Sequence, residues 1–292
     1  MKKRAKRVIN RLGNVQSFIA CDSGYDEAGI VIIGAGYDST TSNRPGARFG
    51  PLAIRQDSYG LESYSPYLDK DLEGSRIYDA GDLELSFGDP VPVLGIIEGA
   101  IDEIMADGKL PLLIGGEHLV SLGAIRAMAK CYEDLHIIHF DAHTDLRDEY
   151  LGQRLSHATV MRRCYDILGD GRIFQFGIRS GSGLEFEWAK GRIGINKFGL
   201  DGLDEVIGLI GGAPVYFTLD MDVLDSSVFC GTGTPEAGGV SFMDLIFAIQ
   251  KVSGLNIVGC DVVELAPNLD ISGVSTATAC KVVREMLLML SK

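Results

Sequence analysis

Apolar runs and amphipathic segments alternate along most of the chain. Runs with the length and β-branched content of buried strands occur at 29–36, 110–114, 137–140, 172–178, 213–219 and 257–263. Segments with a helical spacing of apolar residues lie between or after them, at 91–105, 118–130, 156–168, 203–210, 241–252 and 273–290. This alternation predicts an α/β fold in which helices cover both faces of a parallel sheet. Because no linker, low-complexity tract or internal repeat interrupts it, residues 1–292 are predicted to form one domain, with 1–28 as its N-terminal extension.

The stretch LHIIHFDAHTD, at 135–145, joins a buried-strand pattern to a cluster of polar residues. Asp141, His143 and Asp145 follow the apolar run at alternate positions, and alternate residues of an extended backbone point to the same side. Two carboxylates and an imidazole would repel or desolvate one another unless a cation lay between them. The pattern predicts a metal site at the carboxyl end of a strand. Within the run itself, His139 is interpreted as a core histidine and His136 as a residue of the strand edge.

Three other predicted strands also end in residues with acidic or imidazole side chains. His118 follows one strand, Asp220 and Asp222 follow a second, and Glu264 follows a third. Each signal is weak alone, because an Asp-x-Asp sequence is often a turn and a lone histidine often opens a helix. Together they indicate one site, since ligands of open parallel sheets bind beyond the carboxyl ends of the strands.

The donor set limits the kind of metal. Four aspartates and two histidines suit Mn²⁺, with Fe²⁺, Ni²⁺ or Zn²⁺ less favoured, whereas Ca²⁺ does not favour imidazole. Six side chains exceed the needs of one catalytic ion, which keeps positions open for water and substrate. Two ions about 3.5 to 4 Å apart would use the set well and would ionise a shared water near neutral pH.

Composition and charge exclude several classes of function. The formal net charge is −13, with 40 acidic and 27 basic residues, so nothing indicates a nucleic-acid partner. A negative surface attracts cationic small molecules, although a solvated, self-repelling surface is the simpler interpretation. Six scattered cysteines without a C-x-x-C sequence predict reduced thiols and a cytoplasmic protein. Polar residues follow the basic start MKKRAKR, so no export signal is predicted, and no apolar run is long enough to predict a membrane partner.

The segment RPGARFGPLAIR, at 44–55, places Arg44, Arg48 and Arg55 in a glycine- and proline-rich loop and the helix after it. Three arginines this close could bind an anion or pair with acids at a subunit contact. Ordinary surface charge is the third interpretation, and the sequence does not choose among them. The preceding Gly34-x-Gly36 lacks the third glycine and the helix of a dinucleotide-binding motif, so that function is not predicted.

A series of longer motifs runs in order through the chain: RPGARFGPLAIR, GGEH, FDAHTDLRDEY, SHATVMRR, GIRSG, LDMD, GTGTPEAGG and DVVEL. The residues of these motifs and their order in the chain resemble those of the ureohydrolase family, the arginases and agmatinases. The resemblance implies a three-layer α/β/α sandwich of the arginase/deacetylase type with two Mn²⁺ ions per subunit. It also implies hydrolysis of a guanidinium group to urea and an amine, in a homo-oligomer that is a trimer or a hexamer.

The resemblance assigns roles to residues that match the family's motifs. It implies that one metal is held by His118, Asp141, Asp145 and Asp220, and the other by Asp141, His143, Asp220 and Asp222. Glu264 matches the acid that binds the substrate guanidinium, which a carboxylate can do through two parallel hydrogen bonds. His157, in SHATV, matches the histidine that moves protons near the leaving amine. Thr234, in GTGTP, matches a residue that lines the guanidinium pocket, although a loop hydroxyl without that role is an equal alternative.

The segment LRDEYLGQRLS, at 146–156, resembles bacterial and archaeal agmatinases more than arginases. It implies hydrolysis of agmatine to putrescine and urea by a metal-bridging hydroxide. Because agmatine is a dication, Asp148 or Glu149 could form an acidic rim that favours it, which is a hypothesis. Guanidinobutyrate, arginine or guanidine are alternative substrates. A non-catalytic regulator of polyamine metabolism is a more distant alternative, because loss of ligands would be expected and all six are present.

The loop after Asp222 departs from the agmatinase pattern. Ser226 and Cys230 stand where agmatinases usually have prolines, which leaves the loop shape and substrate choice open. Cys230 is expected to be a buried, inert thiol rather than an oxidation-sensitive one.

Overall fold

A parallel sheet of eight strands forms the centre of the structure, a computed structural model that describes residues 17–291. Its strands lie in the order β4-β1-β5-β10-β9-β6-β7-β8, and a separate antiparallel pair is formed by β2 and β3. The strands are β1 Ile30–Ala35, β2 Tyr64–Ser65, β3 Lys70–Asp71, β4 Ile77–Asp82, β5 Leu110–Gly115, β6 His136–Phe140, β7 Ile173–Ile178, β8 Gly194–Lys197, β9 Pro214–Asp220 and β10 Asn256–Val263. The interpretation of MKKRAKR concerns residues outside the described range.

Eight α-helices cover the sheet in two layers within the described range. They are α1 Gly50–Ser58, α2 Pro90–Ala106, α3 Val120–Cys131, α4 Val160–Leu168, α5 Gly183–Ala189, α6 Leu203–Ile210, α7 Phe242–Val252 and α8 Val274–Leu290. Helices α2 to α5 share one buried cluster with Val31 and Ile33, and α1, α6, α7 and α8 share another with Ile30 and Ile32. Alternate residues of one strand therefore enter opposite cores, as expected for a strand buried on both faces. The predicted α/β/α sandwich is confirmed.

The sheet order explains why the candidate ligands meet. Strands β5, β10, β9 and β6 are consecutive neighbours at the centre of the sheet and are parallel. Asp220 is the last residue of β9, Asp141 and Glu264 directly follow β6 and β10, and His118 lies in the turn after β5. Four strand ends that are far apart in sequence thus lie side by side at one edge of the sheet.

The sequence analysis does not predict strand β4, and it leaves three interpretations open for the arginines of 44–55. Strand β4 contains charged residues, which hide its apolar pattern, and Asp79 is buried because it pairs with Arg55. The Arg55 guanidinium is itself buried, and its Nε lies 2.8 Å from Asp79 Oδ2, while Nη1 contacts Asp82. Arg48 pairs with Asp38 of the same chain. For Arg55, surface charge and a subunit contact are therefore both wrong interpretations.

No helix in 17–291 combines the length and the apolar character needed to cross a bilayer.

Candidate functional site

One group of buried side chains surrounds the imidazole of His118. Its Nδ1 lies 3.1 Å from Asp141 Oδ2, 3.2 Å from Asp220 Oδ2 and 3.4 Å from Asp145 Oδ2. All four residues are less than a tenth exposed. The structure therefore brings the first predicted ligand set together around one nitrogen atom.

A second group adjoins the first through Asp141. His143 Nδ1 lies 3.0 Å from Asp222 Oδ2 and 3.4 Å from Asp141 Oδ1. Asp141 thus presents one carboxylate oxygen to each group, as a bridging ligand would. Asp220 belongs to the first group through Oδ2, while its Oδ1 accepts a hydrogen bond of 2.9 Å from Asp222 N.

The backbone reaches this arrangement differently from the sequence expectation. Strand β6 ends at Phe140, so 141–145 is not a continued strand with alternating side chains. Asp145 instead adopts a left-handed backbone with φ of 51°, and Glu264, directly after β10, does so with φ of 67°. Such conformations cost about 1 kcal/mol or more in residues other than glycine, and they concentrate at functional sites. The prediction that these side chains lie close together is correct, but the prediction that an extended backbone brings them together is wrong.

Hydrogen-bonded side chains hold the ligand groups in place. Thr218 Oγ1 donates to Asp261 Oδ1 at 2.7 Å, so its oxygen is free to accept from His118 Nε2 at 2.9 Å. With Nε2 protonated, His118 directs a lone pair on Nδ1 toward the carboxylates. His139 Nε2 lies 2.8 Å from Asp141 Oδ2, and Gln175 donates to His139 Nδ1 at 2.9 Å. His139 is therefore a core histidine, as expected, that also orients a candidate ligand.

The chemistry of these groups fits a bound cation. Among the residues that the structure describes, His118 Nδ1 and Asp222 Oδ2 are buried and have no partner in hydrogen-bonding geometry, although buried polar atoms are normally paired. Burial raises the pKa of Asp145 and Asp220 well above the usual range, and repulsion from neighbouring aspartates raises it further. Positive charge between the carboxylates would remove this repulsion and give the orphaned atoms a partner. The donor set therefore fits one or two hard divalent ions.

A cavity of about 130 Å³ opens beside these groups. Three predicted site residues outside the ligand set line it, namely His157, Thr234 and Glu264. It is also lined by Ser42, His143, Thr144, Asp145, Arg147, Tyr150, Ala158, Ser180, Gly181, Glu185 and Asp220. The structure thus brings every predicted site residue either into the two ligand groups or onto the wall of this cavity.

Glu264 is fixed at the inner end of the cavity. Its Oε1 accepts a hydrogen bond of 2.7 Å from His118 N, which ties it to the turn after β5. Burial raises its pKa to about 8, and the negative charge of Glu117 adds to the shift. Within 17–291 no Lys or Arg side chain pairs with this carboxylate, and a cationic ligand would lower the pKa and favour its charged form.

His157 presents its Nε2 to the cavity wall. Its Nδ1 lies 2.9 Å from the Thr40 carbonyl oxygen, which can only accept, so Nδ1 carries the hydrogen. Nε2 is then an acceptor for the Ser42 hydroxyl at 3.1 Å. Burial lowers the pKa of His157 to about 4, and the neighbouring imidazoles contribute to the shift. The ring is therefore neutral near pH 7, with its basic nitrogen at the cavity.

The outer wall differs from the acidic rim that the sequence suggests, because neither Asp148 nor the exposed Glu149 is among the residues that line the cavity. Asp148 Oδ1 lies 2.7 Å from Arg163 Nη2 and within 3.9 Å of Arg154 and Arg162, so its charge is matched within the chain. Arg147 lines the cavity instead, with its guanidinium 4.6 Å from the Tyr150 ring centroid and its Nε 3.7 Å from Glu185 Oε2. The sequence interpretation missed Arg147 and Tyr150, although their position directly after the FDAHTD motif was a signal.

The cysteines are free thiols, as expected. Cys230 is exposed, however, so the expectation that it is buried is wrong. It lies in the loop after Asp222, and its Sγ is 3.9 Å from Ser275 Oγ of helix α8.

The fold and the two ligand groups define an α/β/α protein with a candidate metal cluster at the carboxyl edge of its sheet. A family model described as the arginase family matches residues 28–289. The chain is 49% identical over 275 residues to the agmatinase of Bacillus subtilis (strain 168), which covers 93% of this chain and 95% of that protein. The chain belongs to the arginase family, and the resemblance found in its motifs is confirmed.

Two further relatives extend the comparison. The crystal structure of the agmatine ureohydrolase of Thermoplasma volcanium has a TM-score of 0.87 and 34% identity, and the match covers 96% of each chain. The mitochondrial guanidino acid hydrolase of Homo sapiens is 35% identical over 280 residues, which cover 89% of this chain and 78% of that protein. Similarity therefore extends to relatives whose names describe different guanidino substrates.

Proposed function

We propose that this chain is an agmatinase-type amidinohydrolase, which hydrolyses agmatine to putrescine and urea with two divalent cations, Mn²⁺ preferred. The observation that carries the proposal is the pair of ligand groups that share Asp141 at the inner end of a cavity. The 49% identity to a named agmatinase over nearly the whole chain supports the choice of substrate.

The proposed ligands are the six residues of the two groups. His118, Asp145 and Asp220 would hold one cation, His143 and Asp222 the other, and Asp141 both, with Asp220 as a second bridge. Two such ions, when bound, supply hydroxide near neutral pH and positive charge that stabilises the tetrahedral intermediate. Oxygen-rich ligation with two imidazoles favours Mn²⁺ over Fe²⁺, Ni²⁺ or Zn²⁺.

Glu264 would bind and orient the guanidinium group. Its carboxylate can accept two parallel N–H bonds from the planar group and so fix the guanidinium carbon toward the ligand groups. The bound cation would in turn stabilise the charged form of this buried carboxylate. Thr234 lies on the same cavity wall and would accept or donate one further hydrogen bond.

His157 would move the proton that the leaving amine needs. Because its Nδ1–H is held by the Thr40 carbonyl, only Nε2 can exchange a proton at the cavity. A neutral ring with a lowered pKa accepts a proton only briefly and gives it up readily. His157 therefore serves better as a shuttle to the departing nitrogen than as a stored acid.

The first test is urea release by the Mn²⁺-loaded protein from agmatine, arginine, guanidinobutyrate and guanidine. We expect a kcat/KM for agmatine at least about tenfold above the others, a difference of about 1.4 kcal/mol in transition-state binding. Preference for another compound would keep the chemistry and replace the substrate. No urea from any compound, with two metals bound per chain, would reject the enzyme and favour a regulator of polyamine metabolism.

The second candidate is hydrolysis of a guanidino compound with an anionic tail, such as guanidinobutyrate. Arg147 favours it, because a cation on the outer wall attracts a carboxylate and repels the ammonium group of agmatine. The named guanidino acid hydrolase among the relatives supports the same class. The panel above separates the two candidates directly.

We also propose that the protein is a single-domain, cytoplasmic homo-oligomer, a trimer or hexamer, without nucleic-acid or membrane partners. The acidic composition and the free thiols support this assignment. Sedimentation of the purified protein would give the number of subunits.

A further inference from the structure

Thr40 connects the proposed proton shuttle to another part of the structure. The hydroxyl oxygen of Thr40 accepts a hydrogen bond of 3.0 Å from His157 N, and its carbonyl accepts that of His157 Nδ1 at 2.9 Å. One residue of the loop after β1 therefore holds both the backbone and the ring of a residue 117 positions away.

Glu117 holds Thr40 in turn. Its carboxylate accepts from Thr40 Oγ1 at 2.5 Å, from Thr40 N at 3.0 Å and from Thr41 Oγ1 at 3.1 Å. The Thr40 hydroxyl thus donates its hydrogen to Glu117, and a lone pair of the same oxygen accepts the hydrogen bond from His157 N. Glu117, Thr40 and His157 form one continuous hydrogen-bonded series in which each donor has a defined acceptor.

The carboxylate itself sits on rigid backbone. Glu117 is fully buried, and its N–H donates to the Tyr37 carbonyl at 2.7 Å. The preceding Gly116 lies so close to the same strand end that a Cβ atom there would be 2.0 Å from Tyr37 O. Glycine at 116 permits this approach, so the GGEH turn brings a buried carboxylate against the loop that holds His157.

We propose that Glu117 is a positioning residue that sets, through Thr40, the orientation and the tautomer of His157. The inference deepens the proposed function and rests on it in one respect, namely that His157 moves a proton. A carboxylate that accepts three hydrogen bonds in a buried site stabilises one loop conformation strongly, because other conformations leave its buried oxygens without these donors. With Thr40 fixed, the Thr40 carbonyl keeps the hydrogen on Nδ1, and the basic Nε2 remains at the cavity.

The central variant is Thr40→Val, which keeps the shape of the side chain and removes the hydroxyl. We expect kcat to fall about tenfold and KM to change less than about twofold, because the shuttle is misplaced while the guanidinium site is intact. Thr40→Ser keeps the hydroxyl and should restore kcat to within about threefold of the wild-type value. Thr278→Val, the same change in α8, is the control and should leave both constants unchanged.

A double-mutant cycle separates action through His157 from a general effect on the fold. In a His157→Gln background, Thr40→Val should cause no further loss of kcat, because the group it positions is already gone. A full tenfold loss in that background would overturn the proposal. If His157→Gln itself retains wild-type kcat, the proposed role of His157 fails, and that result is distinguishable from failure of the positioning role.

The tautomer gives a readout that is independent of activity. The chain has five histidines, so ¹⁵N-histidine spectra of protein loaded with diamagnetic Zn²⁺ can be assigned by substitution. We expect the Nδ1–H form of His157 in the wild type and a mixture of tautomers in Thr40→Val and Glu117→Gln. Metal content is measured in Glu117→Gln, because its neighbour is a proposed ligand. An unchanged tautomer in both variants would overturn the proposal.

Discussion

The inner and outer ends of the cavity are built differently. At the inner end, His118, Asp141 and Asp220 are buried and come from the ends of the central strands β5, β6 and β9, and further side chains orient them. At the outer end, Arg147 and Tyr150 belong to the irregular segment 146–156 and contact each other at 4.6 Å. Buried charges must be matched by a cation or by hydrogen bonds, whereas solvated charges contribute about 1 kcal/mol or less. The inner end therefore fixes the chemistry, and the outer end is free to set the substrate.

Because of this difference, we expect substitution of Asp141, the carboxylate shared by the two ligand groups, to lower metal content and activity the most. Asp141→Asn removes a negative charge from both groups at once, so we expect metal content to fall from two ions to less than one per chain. Loss of the metals should lower urea release by about 10³-fold or more. Metal analysis by mass spectrometry and a urea assay measure the two effects.

Asp148→Asn is the matched change at the outer end. Its charge is already paired with Arg163, so metal content should remain at two and activity should change by less than about threefold. If Asp141→Asn keeps both metals and its activity, the shared-ligand assignment is wrong.

The sequence predicted the inner end because buried polar groups leave few alternatives. Asp141, His118, Asp220 and Glu264 each directly follow an apolar run or its turn, and parallel strands bring such positions to one edge. What it could not predict were the conformations that aim them, such as the left-handed backbone of Asp145. It also did not predict β4, because the charges that interrupt its pattern have a partner in Arg55 that only the fold reveals.

The outer end was predicted poorly for a related reason. Asp148 looks like an acid available to a cationic substrate until the structure places Arg163 against it. Local sequence shows which charges are present, whereas pairing depends on long-range packing and on side chains of helix α4. The charge of a cavity rim is therefore a property of the fold rather than of the segment that forms it.

The second prediction concerns Asp261, which helps to orient a ligand at the inner end without lining the cavity. Asp261→Asn weakens the hydrogen-bonded series from Asp261 through Thr218 to His118, so the Nδ1 ligand is less well oriented. We expect metal affinity to fall about 10- to 100-fold, as for other partners of metal-binding histidines, with kcat within about threefold at saturating metal. Calorimetric titration of the metal-free protein measures the affinity.

Tyr216→Phe provides the control for this variant. It removes a 2.7 Å hydrogen bond to the other oxygen of Asp261 and leaves the Thr218 contact in place. We expect less than a threefold change in metal affinity. Equal losses in the two variants would mean that the buried cluster acts through general stability and not through His118.

The smallest predicted effect is a change in KM after substitution of Arg147, at the outer end of the cavity. Arg147→Gln removes the cation on the cavity wall, so KM for agmatine should fall and KM for guanidinobutyrate should rise, each about threefold. Because the change lies outside the ligand groups, kcat and metal content should remain within about twofold of the wild-type values. Steady-state kinetics with both substrates at low and high salt measure the effect, which should shrink as salt increases.

Arg154→Gln separates the local field of Arg147 from the overall charge of the protein. It removes the same charge from the same segment, and both arginines have an acidic partner at 3.7 Å, Glu185 for Arg147 and Asp148 for Arg154, but Arg154 is not among the residues that line the cavity. Opposite shifts for the two substrates in Arg147→Gln alone would show that the outer end selects the tail of the substrate while the inner end performs the hydrolysis. Equal shifts of KM in both variants would mean that the overall charge of the protein selects the substrate. The two ends of the cavity would then differ in burial but not in function.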